Sequence, residues 1–462
     1  MNLLLGIDLG TSYFKVGLFD QTGTLKGLGR VAVPTQMPAR GRCEVPVEFF
    51  WQVLRRGLEE ALAEAGANAA QIAGLSYSSQ ANTFVLLDRW DRPLTPLVIW
   101  TDERGEPVEE ELKQFSDSAE FGHRTGFQGI TGAWAVAKWR WWQKNQPQQW
   151  AETRRVMTLS DYFTFSLTGE RVGDASTAAF LGLYDLAGRH WWPEALNAFR
   201  IDPNLLSDPL LPGTRCGHTG IGAVGLLGLP TGVPFTVGGL DHHVAGLGSG
   251  LGRLGEASIS TGTVLAAMTL VDQVYPKRGC FHGPHFDRVR IYRLAFDSMG
   301  AGQFEDYQRR FAQGYSLEQL LAMAALAPPG CVPEGEPGPG KSEREHGEFV
   351  RHLLECIAAG HRSLLGQVMG DRPVRSIVAT GGGARSALWL QIKAAMLGAT
   401  VVKPECQEPA CLGASLLAGV GAGIFEGLDD ASAAVVREEI RHIPEPGLLN
   451  VYRDWKPGKG CP

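Results

Sequence analysis

Residues 238–250 read GGLDHHVAGLGSG and set one carboxylate, Asp241, among glycines and small apolar residues. A charge packed that closely costs free energy unless it is paired, bound to metal or used. One reading makes Asp241 the N-cap of a helix over 242–250. The other makes it a reacting acid whose small neighbours let substrate approach. Both hold if the acid works from the tip of its own helix. His242 and His243 follow it and have no metal-type spacing with other histidines, so they read as helix-start residues, with His242 beside the substrate. A second carboxylate, Asp8, ends the apolar run LLLGID just ahead of DLGTS (8–12). A glycine–hydroxyl tip turns several backbone N–H groups toward one point, which is how phosphate is held without a cation. STGT (260–263) repeats that device. Either tip alone fits a tight turn; the pair fits a triphosphate gripped from two sides. If the two halves face each other, Asp8 and Asp241 meet in one cleft, with Asp8 close to a magnesium ion held largely through water.

Gly381-Gly382-Gly383-Ala384 lies between a strand and a helix, where no side chain would keep a flat ring or ribose from the backbone. It is neither GxGxxG nor GxxxxGK[ST], which excludes a dinucleotide fold and a P-loop. Cys280, His282 and His285 lack a fourth ligand for zinc and read as ordinary polar residues. Trp134, Trp139, Trp141, Trp142, Trp191 and Trp192 suggest stacking on sugar rings, although core packing is the default for most.

The elements that must carry these groups follow from periodicity. Residues 3–8 and 13–20 read as a strand pair joined by the DLGT tip, with a turn at 20–23. Residues 45–66 carry Val47, Trp51, Leu54, Leu58 and Leu62 at helical spacing between Pro46 and Gly66. Residues 255–270 repeat strand, tip and strand, so one fold is used twice. The helix expected over 348–368 follows a loop at 327–345 that is rich in glycine and proline; 376–398 reads as strand, triple glycine, helix; 410–423 is a helix of small residues. A chain of 462 residues exceeds one core. Its 44% hydrophobic and 20% charged residues are ordinary for a globular protein, and a net charge of -6 gives no reason to expect nucleic acid or an acidic membrane. The eight cysteines are scattered without a CxxC pair, which fits reduced thiols in a cytoplasm. The opening MNLLLGIDLG has no basic n-region, and no run approaches the ~20 apolar residues of a membrane span.

From residue 3 to about 425 the chain resembles the FGGY family of carbohydrate kinases, within the superfamily of sugar kinases, heat-shock chaperone ATPases and actin. GIDLGTSYFKVGLFD is similar to the family's first phosphate segment; SSQANTFVLLD, VIWTDER and DYFTFSLTGERVGDASTA follow in family order. GGLDHHVAGLGSG resembles the segment with the catalytic base, STGTV the second phosphate segment, and GGGARSALWLQIKAAMLG with EPACLGASLLAG the adenosine segment and closing helix. The resemblance implies an α/β fold of two actin-like (ribonuclease H-like) domains, each a mixed sheet flanked by helices, with an interdomain cleft. It places sugar binding and the first phosphate loop in 1–237, the base and ATP binding in 238–432, and a tail packed on the body in 433–462.

The same resemblance implies ATP-dependent phosphorylation of a hydroxyl on a small sugar. D-xylulose is the first expectation; another ketose, a polyol or a sugar acid are alternatives, and a non-catalytic nucleotide-binding sensor is the alternative of another class. Asp241 would be the base and Asp8 the acid that assists magnesium. Gly10, Thr11, Ser12, Lys15, Thr261, Gly262, Gln303, Gly382, Gly383 and Ala387 would hold ATP. Gln80, Ala81, Asn82, Asp102, Trp134, Asp241 and His242 would meet the sugar. Cofactors are ATP and Mg2+; the partner is a small sugar or polyol, not nucleic acid or membrane, with a homodimer common among relatives. The turn Ser79-Gln80-Ala81-Asn82-Thr83 departs from the Gly-Gln-Met-His-Gly of xylulose kinases and from the Arg-Glu that glycerol kinases place at Ala81-Asn82. The family's Gly-Glu-Arg-containing segment gives way to the short PEGEPGPGKSERE, which bears on the size of substrate admitted.

Overall fold

The computed structural model describes residues 2–262, 264–297, 300, 302–335 and 337–457. The chain forms two compact, discontinuous units: 1–248 with 271–292 and 408–436, and 249–270 with 293–407 and 437–462.

The first unit is built on the strand Leu3–Leu9, whose residues are nearly all buried. Tyr13–Phe19 pairs with it antiparallel, and Leu25–Ala32 extends the meander. On its other side Ile72–Ser79 runs parallel, and Pro234–Thr236 and Gly239–Leu240 run parallel to that strand in turn. Helix Val47–Ala65 starts after Pro46 and stops at Gly66, which adopts the left-handed conformation that glycine permits. It lays Phe50, Trp51, Leu54 and Leu58 on the sheet.

The second unit repeats the opening logic. Ala257–Thr261 pairs antiparallel with Leu265–Val271 and parallel with Ser376–Thr380, as Leu3–Leu9 does with its own two neighbours. Thr400–Pro404 follows in parallel and Glu438–His442 closes the edge antiparallel. Within the segment expected as a tail packed on the body, 433–462, Glu438–His442 supplies a strand of this sheet. Glu343–Met369 is a longer helix than the 348–368 expected, because Ser342 and Glu345 form a capping box that moves its start upstream.

Two expectations change. Asp241 and Asp8 belong to the same unit, Asp241 directly following the strand Gly239–Leu240 of the sheet that contains Asp8, where one carboxylate in each facing half was expected. The reason is packing: a Cβ on Gly248 would lie 2.0 Å from the Pro409 carbonyl, and one on Gly413 2.0 Å from the Val244 carbonyl, so the helix Asp241–Ser249 is pressed onto Pro409–Gly421 within the first unit. Among the described residues Cys356 is disulfide-bonded, where reduced thiols were expected throughout, which scattered spacing did not reveal.

The small-residue helix Pro409–Gly421 also lies on the central strand. A methyl on Gly6 would sit 2.0 Å from the carbonyl oxygen of Cys411 and 2.9 Å from the Ser415 nitrogen. Both neighbours are backbone and cannot rotate away. Gly6→Ala is expected to lose about 1–3 kcal/mol, as overpacked cores do. Earlier melting in a thermal scan is the readout, and an unchanged melting temperature would refute the close packing.

Candidate functional site

The carboxyl ends of three parallel strands gather the acids. Asp8 is in register with Ser78, and Ser78 with Gly239; Leu9, Ser79 and Leu240 form the next row. In open α/β sheets ligands bind outside these ends. Asp8 is half-buried, and its Oδ1 accepts from Ser78 Oγ at 3.0 Å. Burial pushes its pKa up to about 6; Lys15 opposes that shift, and the charges of Asp241 and Glu408 add to it. The charge of Asp241 thus reaches Asp8. Lys15, directly opposite Asp8 on the neighbouring strand, donates to Glu408 Oε2 at 2.6 Å. Burial works against the charge on Lys15, but Asp8 and Glu408 outweigh it and lift its pKa. Glu408 had no signal in the sequence beyond preceding a helix.

Asp241 is half-buried in the first turn of helix Asp241–Ser249, one position inside the expected cap, and its Oδ1 accepts the N–H of His242 at 2.7 Å. The segment before it is anchored. Leu240 N–H donates to Ser176 Oγ at 2.8 Å, and Ser176 Oγ donates to the buried Asp174 at 2.6 Å. Tyr292 Oη donates to the Ser176 carbonyl at 3.1 Å. A Cβ on Gly239 would lie 2.9 Å from Ser176 Oγ, so only glycine lets this anchor close. Below it the buried His243 stacks on Phe286 at 3.8 Å and hydrogen-bonds His285 across 2.9 Å. Burial pushes His285 down to about 4 and His243 well below its usual range, so both rings are neutral at pH 7. These two imidazoles are packing groups. His282 holds the Gly126 carbonyl at 2.5 Å. Among the described residues no cluster of His, Cys, Asp or Glu suits a zinc-type site.

Around the first loop, the indole N–H of Trp100 donates to Thr11 Oγ1 at 2.9 Å. Sequence reasoning quoted this residue inside VIWTDER without giving it a role. Its backbone is fixed from both sides: its N–H donates to Thr83 Oγ1 at 3.1 Å, and Lys138 Nζ donates to its carbonyl at 2.8 Å. Thr83 donates to Gln80 Oε1 at 3.0 Å, and Gln80 Nε2 donates to the Gly10 carbonyl at 3.0 Å. Hence Gln80 ties the turn 79–83 to the loop and has both ends of its amide engaged.

Asp102 is fully buried. Its Oδ1 accepts from Arg104 N and Nε, and its Oδ2 from Cys43 N and Arg104 Nη2. Burial opposes the charge, but these donors hold the carboxyl below its usual range. Trp134 stacks on Phe127 at 4.3 Å with 5° between planes, and Phe180 lies nearly parallel at 5.9 Å. It is a packed ring and not an open platform. Ala81 and Asn82 are half-buried. Asn82, at φ 59°, accepts the N–H of Ala135 at 3.0 Å through Oδ1, and its amide N–H2 has no protein partner among the described residues. The half-buried ring of His242 has none either.

In the second unit Thr261 is fully buried and Gly262 half-buried, while Thr263 lies outside the described residues. Gly262 N–H donates to the Val264 carbonyl at 3.2 Å, a turn bond at the tip. The triple glycine abuts the same place: a Cβ on Gly381 would lie 2.5 Å from the Thr261 carbonyl, and one on Gly383 2.8 Å from Thr261 Cβ. Gly381 has φ 82°. Gly382 is exposed at the start of a short 3-10 turn, and Ala387 is exposed at the start of Ala387–Leu397, capped by Ser386. Gln303 lies in the first turn of Gly302–Phe311, whose Phe304 meets the Trp389 ring edge-on at 6.4 Å. Thr261, Gly262, Gln303, Gly382, Gly383 and Ala387 thus sit on elements that pack together.

Residues 3–248 match the N-terminal domain model of the FGGY family of carbohydrate kinases, and residues 329–422 the C-terminal domain model. The chain is 26% identical to xylulose kinase of Lactococcus lactis subsp. lactis (strain IL1403) over 488 residues, covering 99% of this chain and 96% of that protein. It is also 26% identical to gluconokinase of Bacillus subtilis (strain 168) over 490 residues, covering 98% and 94%. A ligand-bound xylulose kinase from Lactobacillus acidophilus has the same fold, with a TM-score of 0.86 at 20% identity over 98% of this chain and 96% of that one. No helix among the described residues is long and apolar enough to cross a membrane. With both family domains matched in order along the chain, the protein belongs to the FGGY family of carbohydrate kinases.

Proposed function

We propose that this carbohydrate kinase transfers the γ-phosphoryl group of ATP to a hydroxyl of a small open-chain sugar, with D-xylulose as the first acceptor. Asp241 accepts the hydroxyl proton as that oxygen attacks phosphorus. The observation that supports this is the placing of Asp241 directly after the carboxyl end of Gly239–Leu240 and of Asp8 near the carboxyl end of Leu3–Leu9 in the same sheet, close enough for the Asp241 charge to raise the pKa of Asp8. A base there is worth ~10²–10⁴ in rate. Positioning and charge stabilisation supply the rest of the acceleration.

Asp8 suits a hard, mostly hydrated cation. Its charge is crowded by Asp241 and Glu408, a repulsion that a divalent ion removes. Mg2+ takes one or two carboxylates and fills its remaining positions with water and phosphate oxygens. When bound it would neutralise charge on the transferring phosphoryl group. Thr11, oriented by Trp100, and Lys15 border the same strand ends.

For the sugar, the residues divide by what they have left to offer. Gln80 and Asp102 spend their polar atoms on the protein and shape the pocket from behind, and Trp134 does so by packing. Asn82 keeps a free amide N–H2, and His242 a free ring. We assign hydroxyl recognition to these two, with Asp241 on the reacting oxygen and Ala81 giving room.

The test is to incubate the pure protein with ATP, magnesium and a panel of pentuloses, tetritols and gluconate, and to follow ADP. D-xylulose is expected to stimulate ADP release most. Stimulation by another acceptor alone would move the substrate assignment. Nucleotide binding with no stimulation by any acceptor would favour the sensor reading.

A further inference from the structure

Lys393 is fully buried in the helix Ala387–Leu397. Among the described residues its Nζ makes one hydrogen bond, at 2.6 Å to Thr261 Oγ1, and lies 4.7 Å from the centre of the Trp389 ring. Among the described residues no carboxylate bonds it, and the other titratable group against it is His361 of helix Glu343–Met369, whose Nε2 lies 3.1 Å from the Ser260 carbonyl. His361 is buried too; burial, with Lys393 adding to it, pushes it down to about 3, so it is neutral.

An ammonium carries three donors, and burying it with one oxygen acceptor and an aromatic face leaves it short of partners. Burial accordingly pushes the amine down to about 7, so it is partly neutral at physiological pH. The missing counter-charge has a natural source. Lys393 stands one hydroxyl behind the tip formed by Thr261 and Gly262, where the reading above places nucleotide phosphate. The protonation state also decides which way the bond runs. A neutral amine can accept the Thr261 hydroxyl proton. An ammonium can only donate, and the Thr261 proton must then turn elsewhere.

We propose that Lys393 is a positioning residue of the second phosphate loop: it takes up one proton from solvent when nucleotide phosphate arrives at Thr261 and Gly262, and the resulting ammonium holds the Thr261 hydroxyl as an acceptor. The proposal rests on the assignment of that loop to nucleotide phosphate, and its test separates the two.

An amine lowered to about 7 is in good part neutral at pH 7.5, so charging it fully takes up a substantial fraction of a proton. Binding of ADP in excess magnesium is measured calorimetrically at pH 7.5 in buffers of different ionisation enthalpy, with adenosine as the phosphate-free control. The wild type should take up a substantial fraction of a proton more with ADP than Lys393→Arg, whose guanidinium is charged throughout. Lys393→Arg should keep ADP affinity within about tenfold, while Lys393→Met should lose more than tenfold. Adenosine should show no uptake in any variant. Equal proton uptake by wild type and Lys393→Arg would overturn the proposal, as would equal uptake with ADP and adenosine in the wild type, a comparison that stands even if a variant fails to fold. Failure of the wild type to bind ADP at all would instead overturn the assignment of the loop.

Discussion

Asp241→Ala is expected to cut turnover by ~10²–10⁴ while leaving nucleotide affinity nearly intact. The side chain is half-buried and among the described residues bonds only its neighbour's N–H, so its removal strips no partner from the core. The strand that delivers it is held independently, through Leu240 N–H, Ser176 and Asp174. The nucleotide residues assigned to the second unit do not involve it. The loss should therefore appear in kcat, with ADP affinity by calorimetry close to wild type. The separation matters, because a collapse of the strand end would disturb the neighbouring Asp8 as well and would change binding along with rate. A variant that keeps more than about a tenth of the wild-type rate would remove Asp241 from the role of base.

What the sequence made legible was the part governed by local rules. The strand–tip–strand units at 3–20 and 255–270, the helix bounded by Pro46 and Gly66, and the strand–glycine–helix at 376–398 follow from periodicity and glycine chemistry, and all are present. The acids Asp8 and Asp241 stand out because they interrupt apolar runs. What it hid was set by long-range pairing. That Asp241 follows a strand of the sheet that holds Asp8 depends on Gly239 docking beside Ser78, 161 positions earlier (239 minus 78). That Asp102 is a buried partner of Arg104 could not be told from a solvated loop acid in VIWTDER. Trp134 carries the same letter whether it stacks on a sugar or on Phe127. Lys15, Glu408 and Lys393 are ordinary charges until the fold removes water from around them. The family resemblance supplied residue positions, but not which polar atoms remain unspent once the protein's own bonds are made.

Asp8→Asn should make the protein more stable and less active at once. The native pKa of Asp8 lies at about 6, against roughly 4 for an unfolded aspartate. Between those values the folded chain binds more protons than the unfolded one, so stability falls as pH rises through the window from about 4 to 6. Above it the full cost of the crowded charge is present; below it the cost is gone. Asparagine keeps the shape and an acceptor for Ser78 but carries no charge, so the variant should melt higher than wild type at pH 7.5 and alike near pH 4. A two-unit shift corresponds to at most about 3 kcal/mol, and partial exposure reduces this to on the order of 1–2 kcal/mol. Magnesium and ADP should narrow the gap, since only the wild type has the carboxylate that a divalent ion relieves, and binding to the native state adds to its stability. Turnover should drop in the same variant through weaker metal placement, with the loss partly recovered at high magnesium. Equal melting of the two proteins at pH 7.5, without magnesium, would mean that Lys15 already compensates Asp8 in full, and the electrostatic reason for a metal at this carboxylate would fall with it.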